Sequence, residues 1–444
     1  MSSCPPTIPG APGLDFETWD TTIPDQSPLS LSPDPTIPGA PSLRLPFVAR
    51  VGDHRSKSVP YLVALTFLTL TLTACRSHDF PQYPPNYREY VYVTNGGSAT
   101  VTVLDGVNIR VDRVLRVGQN PVAVAASPTR NEVYVVNAGV AGGQGSLSVI
   151  NAENNTIAAT IPLRRQPVSI DLDAAGALAY VANSGSDSIS VLDLKARREL
   201  SQIAVGSQPV AARITPDGHT LVVANRRGNS ISIVTLPGAR GSANFPVRQV
   251  FAGCPGAGDP VILPDSSKAF IPCAAGHQVM VVALAQSKTN PAQPDRFETL
   301  MDVGRAPVQL ALKPDGGELF SINSLSDSIS EVVTNTNDVG GEYMIGDNPV
   351  GGLVSRDNSL LYVGNLRSQV VTLYAIDDSK IFGYIRVGDG PSAMAFSSAG
   401  SLLYIVDARS SDIAVVRTAS NSLFTILPTG RAPNAIAIKA FKLP

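Results

Sequence analysis

From residue 90 onwards, apolar and polar positions alternate in short stretches that polar turns interrupt. Between Pro167 and Pro209 one unit reads VSIDL, LAYVAN, SISVLDL and LSQIAVG, separated by turns rich in Gly, Asp and Ser. A period of two with many β-branched residues is typical of strands, and Gly, Asp, Asn and Pro mark the turns. Each unit therefore predicts four short strands, which we call a, b, c and d in chain order. No useful helical periodicity follows Cys75, so the sequence predicts an all-β body.

The four-strand unit recurs along the chain, and each a strand begins near a proline that follows a polar pair. These prolines are Pro121, Pro167, Pro209, Pro260, Pro307, Pro349, Pro391 and Pro433. Four-stranded repeats of about 40 to 45 residues are the signature of propeller blades, which bury their faces only against neighbouring blades.

Strands b, c and d also occur eight times, but the first unit lacks its a strand and the last a strand lacks its unit. Joining the two ends predicts a closed β-propeller of eight blades, in which the N- and C-terminal strands share one blade and leave no open edge. Seven blades are the alternative if the divergent unit at 254–303 does not form a full blade.

The chain before the repeats divides into three segments. Residues 1–58 hold 11 prolines and predict a disordered leader, which a start codon assigned too far upstream would explain. At 59–75 an uncharged apolar run follows basic residues and ends in Leu72-Thr73-Ala74-Cys75. This segment resembles a bacterial lipoprotein signal with a lipobox, which implies that Cys75 is acylated; a short transmembrane anchor is the alternative. Residues 76–89 predict an extended tether to a propeller at 90–442.

Charge and the lipoprotein signal limit the partners. Lys and Arg number 34 against 36 Asp and Glu, so the net charge is −2 and no field that would attract nucleic acid is expected. The signal predicts an extracytoplasmic protein, on the periplasmic side or at the cell surface, that touches the membrane through its lipid anchor only. We expect a monomer.

Strand b of most units ends in one motif. Tyr92–Asn95 spells YVTN, and variants occur at 134–137, 180–183, 222–225 and 362–365. With the PDG turns at 216–218 and 314–316, residues 90–441 resemble the YVTN family of β-propeller repeat proteins. The resemblance implies the fold and an extracytoplasmic or surface location, but it says little about activity.

The asparagine that ends the motif predicts a residue that caps its own turn and tolerates left-handed backbone. Two units depart from it, because Cys273 and Asp407 stand at the equivalent positions.

Two cysteines fall inside the predicted propeller. Cys254 lies in a d-to-a connection and Cys273 in the b-to-c turn of the same unit, and both connections emerge on one face of a blade. In an exported protein this placement favours a disulfide, with two free thiols as the alternative. A metal site with His277 is a weaker interpretation, because no fourth ligand has a suitable spacing.

The same face carries many arginines, whose planar guanidinium groups suit carboxylates and phosphates. The candidate ligand-binding residues are Arg164, Arg165, Arg226, Arg227, Arg305, Arg367, Arg409 and Arg431. Ordinary surface charge, paired locally with acidic neighbours, is the alternative interpretation.

The predicted function is a non-catalytic binding or scaffolding module for a protein or a small anionic ligand, without a cofactor. Only His219 and His277 lie inside the propeller, which offers little acid–base chemistry, and no catalytic residue is assigned. The alternative is a hydrolytic propeller enzyme or a cofactor carrier, because eight-bladed propellers that resemble this family hold haem d1 with arginines.

Overall fold

The computed structural model describes residues 83–237, 244–285 and 293–443. The predicted leader at 1–58, the lipoprotein signal at 59–75 with Cys75, and the tether as far as residue 82 lie outside the described residues.

The described residues form eight four-stranded antiparallel sheets arranged in a ring, so the prediction of an eight-bladed β-propeller is confirmed. We number the blades in chain order and give the strands of each blade from the innermost outwards. Blade 1 has β32 (Pro433–Lys442), β1 (Tyr87–Asn95), β2 (Thr100–Asp105) and β3 (Arg110–Arg116); blade 2 has β4 (Pro121–Ala126), β5 (Glu132–Asn137), β6 (Gln144–Asn151) and β7 (Thr156–Arg165); blade 3 has β8 (Pro167–Leu172), β9 (Leu178–Asn183), β10 (Ser188–Asp193) and β11 (Arg198–Ala204); blade 4 has β12 (Pro209–Ile214), β13 (Thr220–Asn225), β14 (Ser230–Thr235) and β15 (Val247–Ala252).

The remaining four blades repeat this order. Blade 5 has β16 (Val261–Ile262), β17 (Lys268–Cys273), β18 (Gln278–Ala283) and β19 (Arg296–Asp302); blade 6 has β20 (Pro307–Leu312), β21 (Glu318–Asn323), β22 (Ser328–Val333) and β23 (Asp338–Met344); blade 7 has β24 (Pro349–Val354), β25 (Leu360–Asn365), β26 (Val370–Ala375) and β27 (Lys380–Arg386); blade 8 has β28 (Pro391–Phe396), β29 (Leu402–Asp407), β30 (Asp412–Arg417) and β31 (Ser422–Pro428). Blade 5 has all four strands, although its innermost strand is only two residues long. The ring therefore has eight blades and not seven.

The ring closes in blade 1, where the first and last strands of the described chain pair. β1 and β32 run antiparallel from Tyr87 opposite Lys442 to Asn95 opposite Pro433. Because β32 continues to Lys442, β1 begins at Tyr87, three residues before the position expected from the sequence. The two ends therefore share one blade, as predicted.

The apolar core lies between the blades. Eight clusters of buried aliphatic and aromatic side chains each join one pair of neighbouring blades. Between blades 4 and 5, for example, Val222 and Ile231 pack with Ile271 and Met280, all fully buried. Each blade thus depends on both neighbours for burial, which explains why closure of the ring matters.

The asparagine at the end of strand b has a different role from the predicted turn cap. In blade 4, Asn225 is fully buried and its Nδ2 donates to the hydroxyls of Ser230 and Ser232 at 3.3 and 3.0 Å. Equivalent bonds to Ser or Thr on strand c are made by Asn95, Asn137, Asn183, Asn323 and Asn365. The amide therefore joins strand b to strand c, and the left-handed backbone occurs later in the turn, as at Asn229.

A glycine of the d-to-a connection lies directly over this asparagine. A Cβ added to Gly206 would stand 2.7 Å from Cγ of Asn225. The same close approach occurs at Gly118, Gly304, Gly346, Gly388 and Gly430. In these six connections the glycine three residues before the repeat proline is therefore required by close packing on the asparagine or, at Gly388, on Asp407.

Candidate functional site

Neighbouring strands in a blade run in opposite directions, so the b-to-c turns and the d-to-a connections lie on one face of the ring. We call it the arginine face, and the face with the a-to-b and c-to-d connections the opposite face. Four candidate arginines lie in b-to-c turns (Arg226, Arg227, Arg367 and Arg409), and four lie where strand d leads to the next blade (Arg164, Arg165, Arg305 and Arg431). They are distributed around the ring and are not gathered in one cluster.

Three of these arginines are engaged locally. Arg164 forms a bidentate pair with Glu199, at 3.2 and 2.7 Å. Arg409 pairs with Asp389 at 3.3 Å, and Arg305 donates to the carbonyl oxygen of Leu325 at 3.0 Å. Local pairing with neighbouring groups explains the position of these three side chains, so no ligand is needed to explain them.

The other five make no side-chain hydrogen bond or ion pair with the described part of the chain. They are Arg165, Arg226, Arg227, Arg367 and Arg431. Of these, Arg226 lies beside the start of an innermost strand, because its backbone N–H donates to the carbonyl of Gln208, which directly precedes β12. Surrounding protein lowers the pKa of Arg226 by desolvation, although its side chain is accessible to solvent. A guanidinium in this position has lost part of its hydration without gaining a counter-ion.

The channel itself carries a charged group that the sequence analysis did not single out. Arg213 on β12 pairs in a bidentate manner with Asp259, with Nε 2.7 Å from Oδ1. One residue further along, the backbone N–H of Ile214 donates to Oδ2 of Asp171, on the innermost strand of blade 3, at 2.9 Å. We call Asp171, Arg213 and Asp259 the channel cluster; it joins the inner edges of blades 3, 4 and 5.

The charged groups of the channel cluster interact with one another. Burial opposes the charge of Arg213, but the charge and hydrogen bonds of Asp259 raise the pKa of Arg213. Burial also raises the pKa of Asp171, against the lowering effect of Arg213. Since Arg213 already has its carboxylate, the groups available to an external anion on this side of the ring are the unpaired Arg226 and Arg227 at the channel mouth.

A signal for the channel cluster exists in the sequence. At the fourth position after the repeat proline, the other full-length innermost strands carry Ala125, Ala311, Leu353, Ala395 and Ala437, whereas blades 3 and 4 carry Asp171 and Arg213. A charged residue in the middle of an apolar innermost strand departs from the repeat, and this departure identifies Asp171 and Arg213 as candidates.

The predicted disulfide is present. Cys254, after the outermost strand of blade 4, is bonded to Cys273 at the end of β17, with the Cα atoms 4.9 Å apart. Both cysteines are fully buried. The bond fixes the connection from blade 4 to the start of blade 5, where the innermost strand is shortest.

The two histidines are separated. His219 lies in an a-to-b turn on the opposite face, and His277 lies on the arginine face, where its Nδ1 accepts a hydrogen bond from the backbone N–H of Ala306 at 3.1 Å. Across the described ranges, no group of three or more His, Cys, Asp or Glu side chains is arranged to hold a metal ion.

Blade 8 contains a buried pair of acids at the b-to-c junction. Asp407 replaces the asparagine, lies opposite Asp412 in register, and is fully buried, with Oδ2 accepting from the N–H of Gly388 at 3.0 Å. Burial and the neighbouring Asp412 raise the pKa of Asp407 to about 8. Asp407 is therefore mostly protonated at neutral pH.

Comparisons with known proteins agree on the fold. No family model matches the chain, and no curated protein matches it either. The dihydro-haem d1 dehydrogenase NirN in complex with DHE is 17% identical, with a TM-score of 0.62, covering 81% of this chain and 76% of NirN. Apo AztD from Citrobacter koseri is 14% identical, with a TM-score of 0.56 and coverage of 80% and 98%.

A functionally unknown protein from Desulfotomaculum acetoxidans is also similar, at 14% identity and a TM-score of 0.53, covering 79% of this chain and 98% of that one. At these identities the similarity shows the propeller fold alone. None of the described residues belongs to a helix long and apolar enough to cross a membrane.

Proposed function

We propose that this protein is a lipid-anchored, extracytoplasmic β-propeller of the YVTN type that serves as a non-catalytic binding module. Its ligand is an anionic group, on a small molecule or on a protein surface, bound at the mouth of the channel on the arginine face. The observation that carries the proposal is Arg226, an exposed guanidinium that lies beside the innermost strand and has no partner in the described chain.

The geometry supports binding at this mouth rather than inside the channel. Arg227 follows Arg226 in the same turn and is also unpaired, so two guanidinium groups extend from one rigid β-turn. Within the channel cluster, the charge of Arg213 is already paired with Asp259. An anion at the mouth would restore the lost solvation of Arg226 with charge-assisted hydrogen bonds.

The binding experiment compares two variants of the full chain. Pyrophosphate and citrate serve as probes in isothermal titration calorimetry, with Arg226→Ala/Arg227→Ala as the test and Arg198→Ala as the control. Arg198 is also exposed and has no side-chain partner among the described residues, but it lies on the outer strand β11. We expect binding of at least one probe to weaken roughly tenfold in the double variant only. Equal binding by all three proteins would refute the site.

The location is tested separately. Mass spectrometry of the N-terminal peptide from membranes should show diacylglycerol on Cys75, and Cys75→Ala should abolish it. Unchanged membrane partitioning of the variant, with no lipid on the wild-type peptide, would refute the anchor.

A cofactor carrier is the second candidate, favoured by the shared fold with NirN and by arginines that could bind tetrapyrrole carboxylates. The residues fit such a group only in part: His219 is on the opposite face, and His277 uses Nδ1 to hold the backbone of Ala306. We derive no catalytic step from it. A visible spectrum of protein purified from its own cell envelope distinguishes the two candidates, because a bound tetrapyrrole absorbs strongly. A colourless protein would exclude the tetrapyrrole carrier and favour the binding module.

A further inference from the structure

The outermost strands of the ring differ strongly in how much apolar surface they expose. In blade 7, β27 exposes Phe382 and Tyr384 by 61% and 62%, together with Ile381. In blade 8, β31 exposes Leu423, Phe424 and Ile426, and β3 of blade 1 exposes Val114. β31 lies between β27 and β3 and contacts both. We call these three strands the apolar rim; in contrast, β11 of blade 3 exposes no large apolar side chain.

The apolar rim is also basic. Its three strands carry five basic residues and one acidic residue, whereas β15, β19 and β23 of blades 4 to 6 carry two basic and four acidic residues. Asp112 pairs with Arg113, and Lys380 pairs with Asp378 in the preceding turn. Arg116 and Arg386 make no ion pair with any described residue. Exposed aromatic side chains beside unpaired cations are the composition of surfaces that bind the interface of an anionic bilayer.

The chain enters the ring in the same sector as this rim. Tyr83 stacks on Tyr87, with ring centroids 4.7 Å apart, and β1 begins in blade 1. Two residues later, Oε2 of Glu89 accepts a hydrogen bond from the backbone N–H of Ser398 in blade 8. The N-terminal segment therefore leaves the propeller at the boundary of blades 8 and 1, beside their inner strands on the opposite face and in the same sector of the ring as the apolar rim.

The distance from this exit point to Cys75 is limited by covalent geometry. Eight residue steps span at most about 28 Å when fully extended, and a body of this length has a radius of gyration of about 20 Å. An acyl group on Cys75 would thus keep the sector formed by blades 8 and 1 within reach of the bilayer.

We propose that the apolar rim docks onto the surface of an anionic phospholipid bilayer, so that the propeller stands edge-on on the membrane. Phe382, Tyr384 and Phe424 enter the interfacial region, and Arg116 and Arg386 contact the lipid phosphates. The arrangement rests on the lipid anchor proposed above. It leaves the arginine face and the channel mouth open to ligands, and it makes the rim a second, weaker membrane contact beside the acyl group.

The experiment removes the anchor so that only the rim is tested. Residues 76–444 contain the whole ring, which closes between Tyr87 and Lys442, and this soluble form is sedimented with vesicles of phosphatidylglycerol and phosphatidylethanolamine or of phosphatidylcholine alone. The test variant is Phe382→Ser/Tyr384→Ser. The matched control is Val250→Ser/Phe297→Ser, which removes two exposed apolar side chains from the outer strands of blades 4 and 5.

We expect the wild type and the control to sediment with the anionic vesicles and the test variant to bind roughly tenfold more weakly. No sedimentation of the wild type, or equal loss in test and control variants, would overturn the proposal. A wild-type dimer in light scattering that the test variant abolishes, without vesicle binding, would assign the rim to a second copy instead. Acylation of Cys75 is measured independently, so failure of the anchor and failure of the rim are distinguishable.

Discussion

Blades 4 and 8 lie opposite one another in the ring and follow the same repeat, yet they place their polar residues differently. Blade 4 has a charged residue in the channel, Arg213, and a neutral b-to-c junction in which Asn225 donates to two hydroxyls. Blade 8 has Ala395 at the equivalent channel position and a buried acid pair, Asp407 and Asp412, at the junction. Their outer strands differ as well, since that of blade 8 belongs to the apolar rim.

The difference shows what the repeat determines. Strand register, the glycine over the b-strand end and the bulge between strands c and d occur in both blades. These features depend on backbone geometry and are shared. Side chains at the channel, the junction and the outer edge are free to vary because each contacts a different neighbour, and this variation gives the blades of one ring different surfaces.

The largest effect is expected when the junction of blade 8 is made like that of blade 4. The pKa of Asp407 is raised to about 8, against about 4 in an unfolded chain. Its protonated form is favoured on folding, so its contribution to stability is complete below about pH 4 and is lost as the pH rises to about 8. We expect Asp407→Asn to remove this pH dependence and to stabilise the protein by roughly 3 to 5 kcal/mol at pH 8.

Urea unfolding of wild type and variant from pH 4 to about 9 measures this prediction. The reverse change in blade 4, Asn225→Asp, should create a loss of stability at neutral pH. If Asp407→Asn kept the wild-type slope of stability against pH, the raised pKa of Asp407 would not be its cause.

A second difference concerns how each blade passes the chain to the next. Blade 4 is followed by the disulfide between Cys254 and Cys273, whereas blade 8 is followed by the ten-residue strand β32. We expect Cys254→Ala/Cys273→Ala to lower the free energy of unfolding by about 3 kcal/mol, because the unfolded chain regains the entropy of an open loop. Wild-type protein under reducing conditions should match the variant. Labelling of both cysteines in native oxidised protein would contradict the bond.

Many features in this comparison could be predicted from the sequence. The others could not, and the reasons are physical. The blades, their closure and the disulfide follow from local patterns that repeat in register. Asp407 was visible as a departure from the asparagine, but its partner Asp412 required strand pairing. The pair between Arg213 and Asp259 joins residues 46 positions apart in different blades. The partners of the surface arginines depend on side-chain conformations that no repeat specifies.

A shared feature should respond alike in both blades. Gly206 and Gly388 lie over Asn225 and Asp407 with no space for a Cβ. We expect Gly206→Ala and Gly388→Ala each to destabilise the protein by about 2 kcal/mol, because the connection must shift away from the junction. Gly383→Ala is the control, since nothing lies within 4 Å of its added Cβ. A control that destabilises as much would show that loss of glycine itself, not the close approach, is responsible.

The smallest effect is expected when the channel of blade 4 is made like that of blade 8. The side chains of Arg213 and Asp259 are 33% and 45% exposed, so solvent screens their interaction. We therefore expect Arg213→Ala to cost only about 1 kcal/mol in thermal or urea unfolding. With Asp259→Ala in a double-mutant cycle, the coupling energy should be of the same size, because each single change leaves one charge without its partner. Binding of pyrophosphate or citrate at the mouth should be unchanged in Arg213→Ala, since Arg226 and not Arg213 has the free guanidinium. Loss of binding in this variant would move the ligand site from the mouth into the channel.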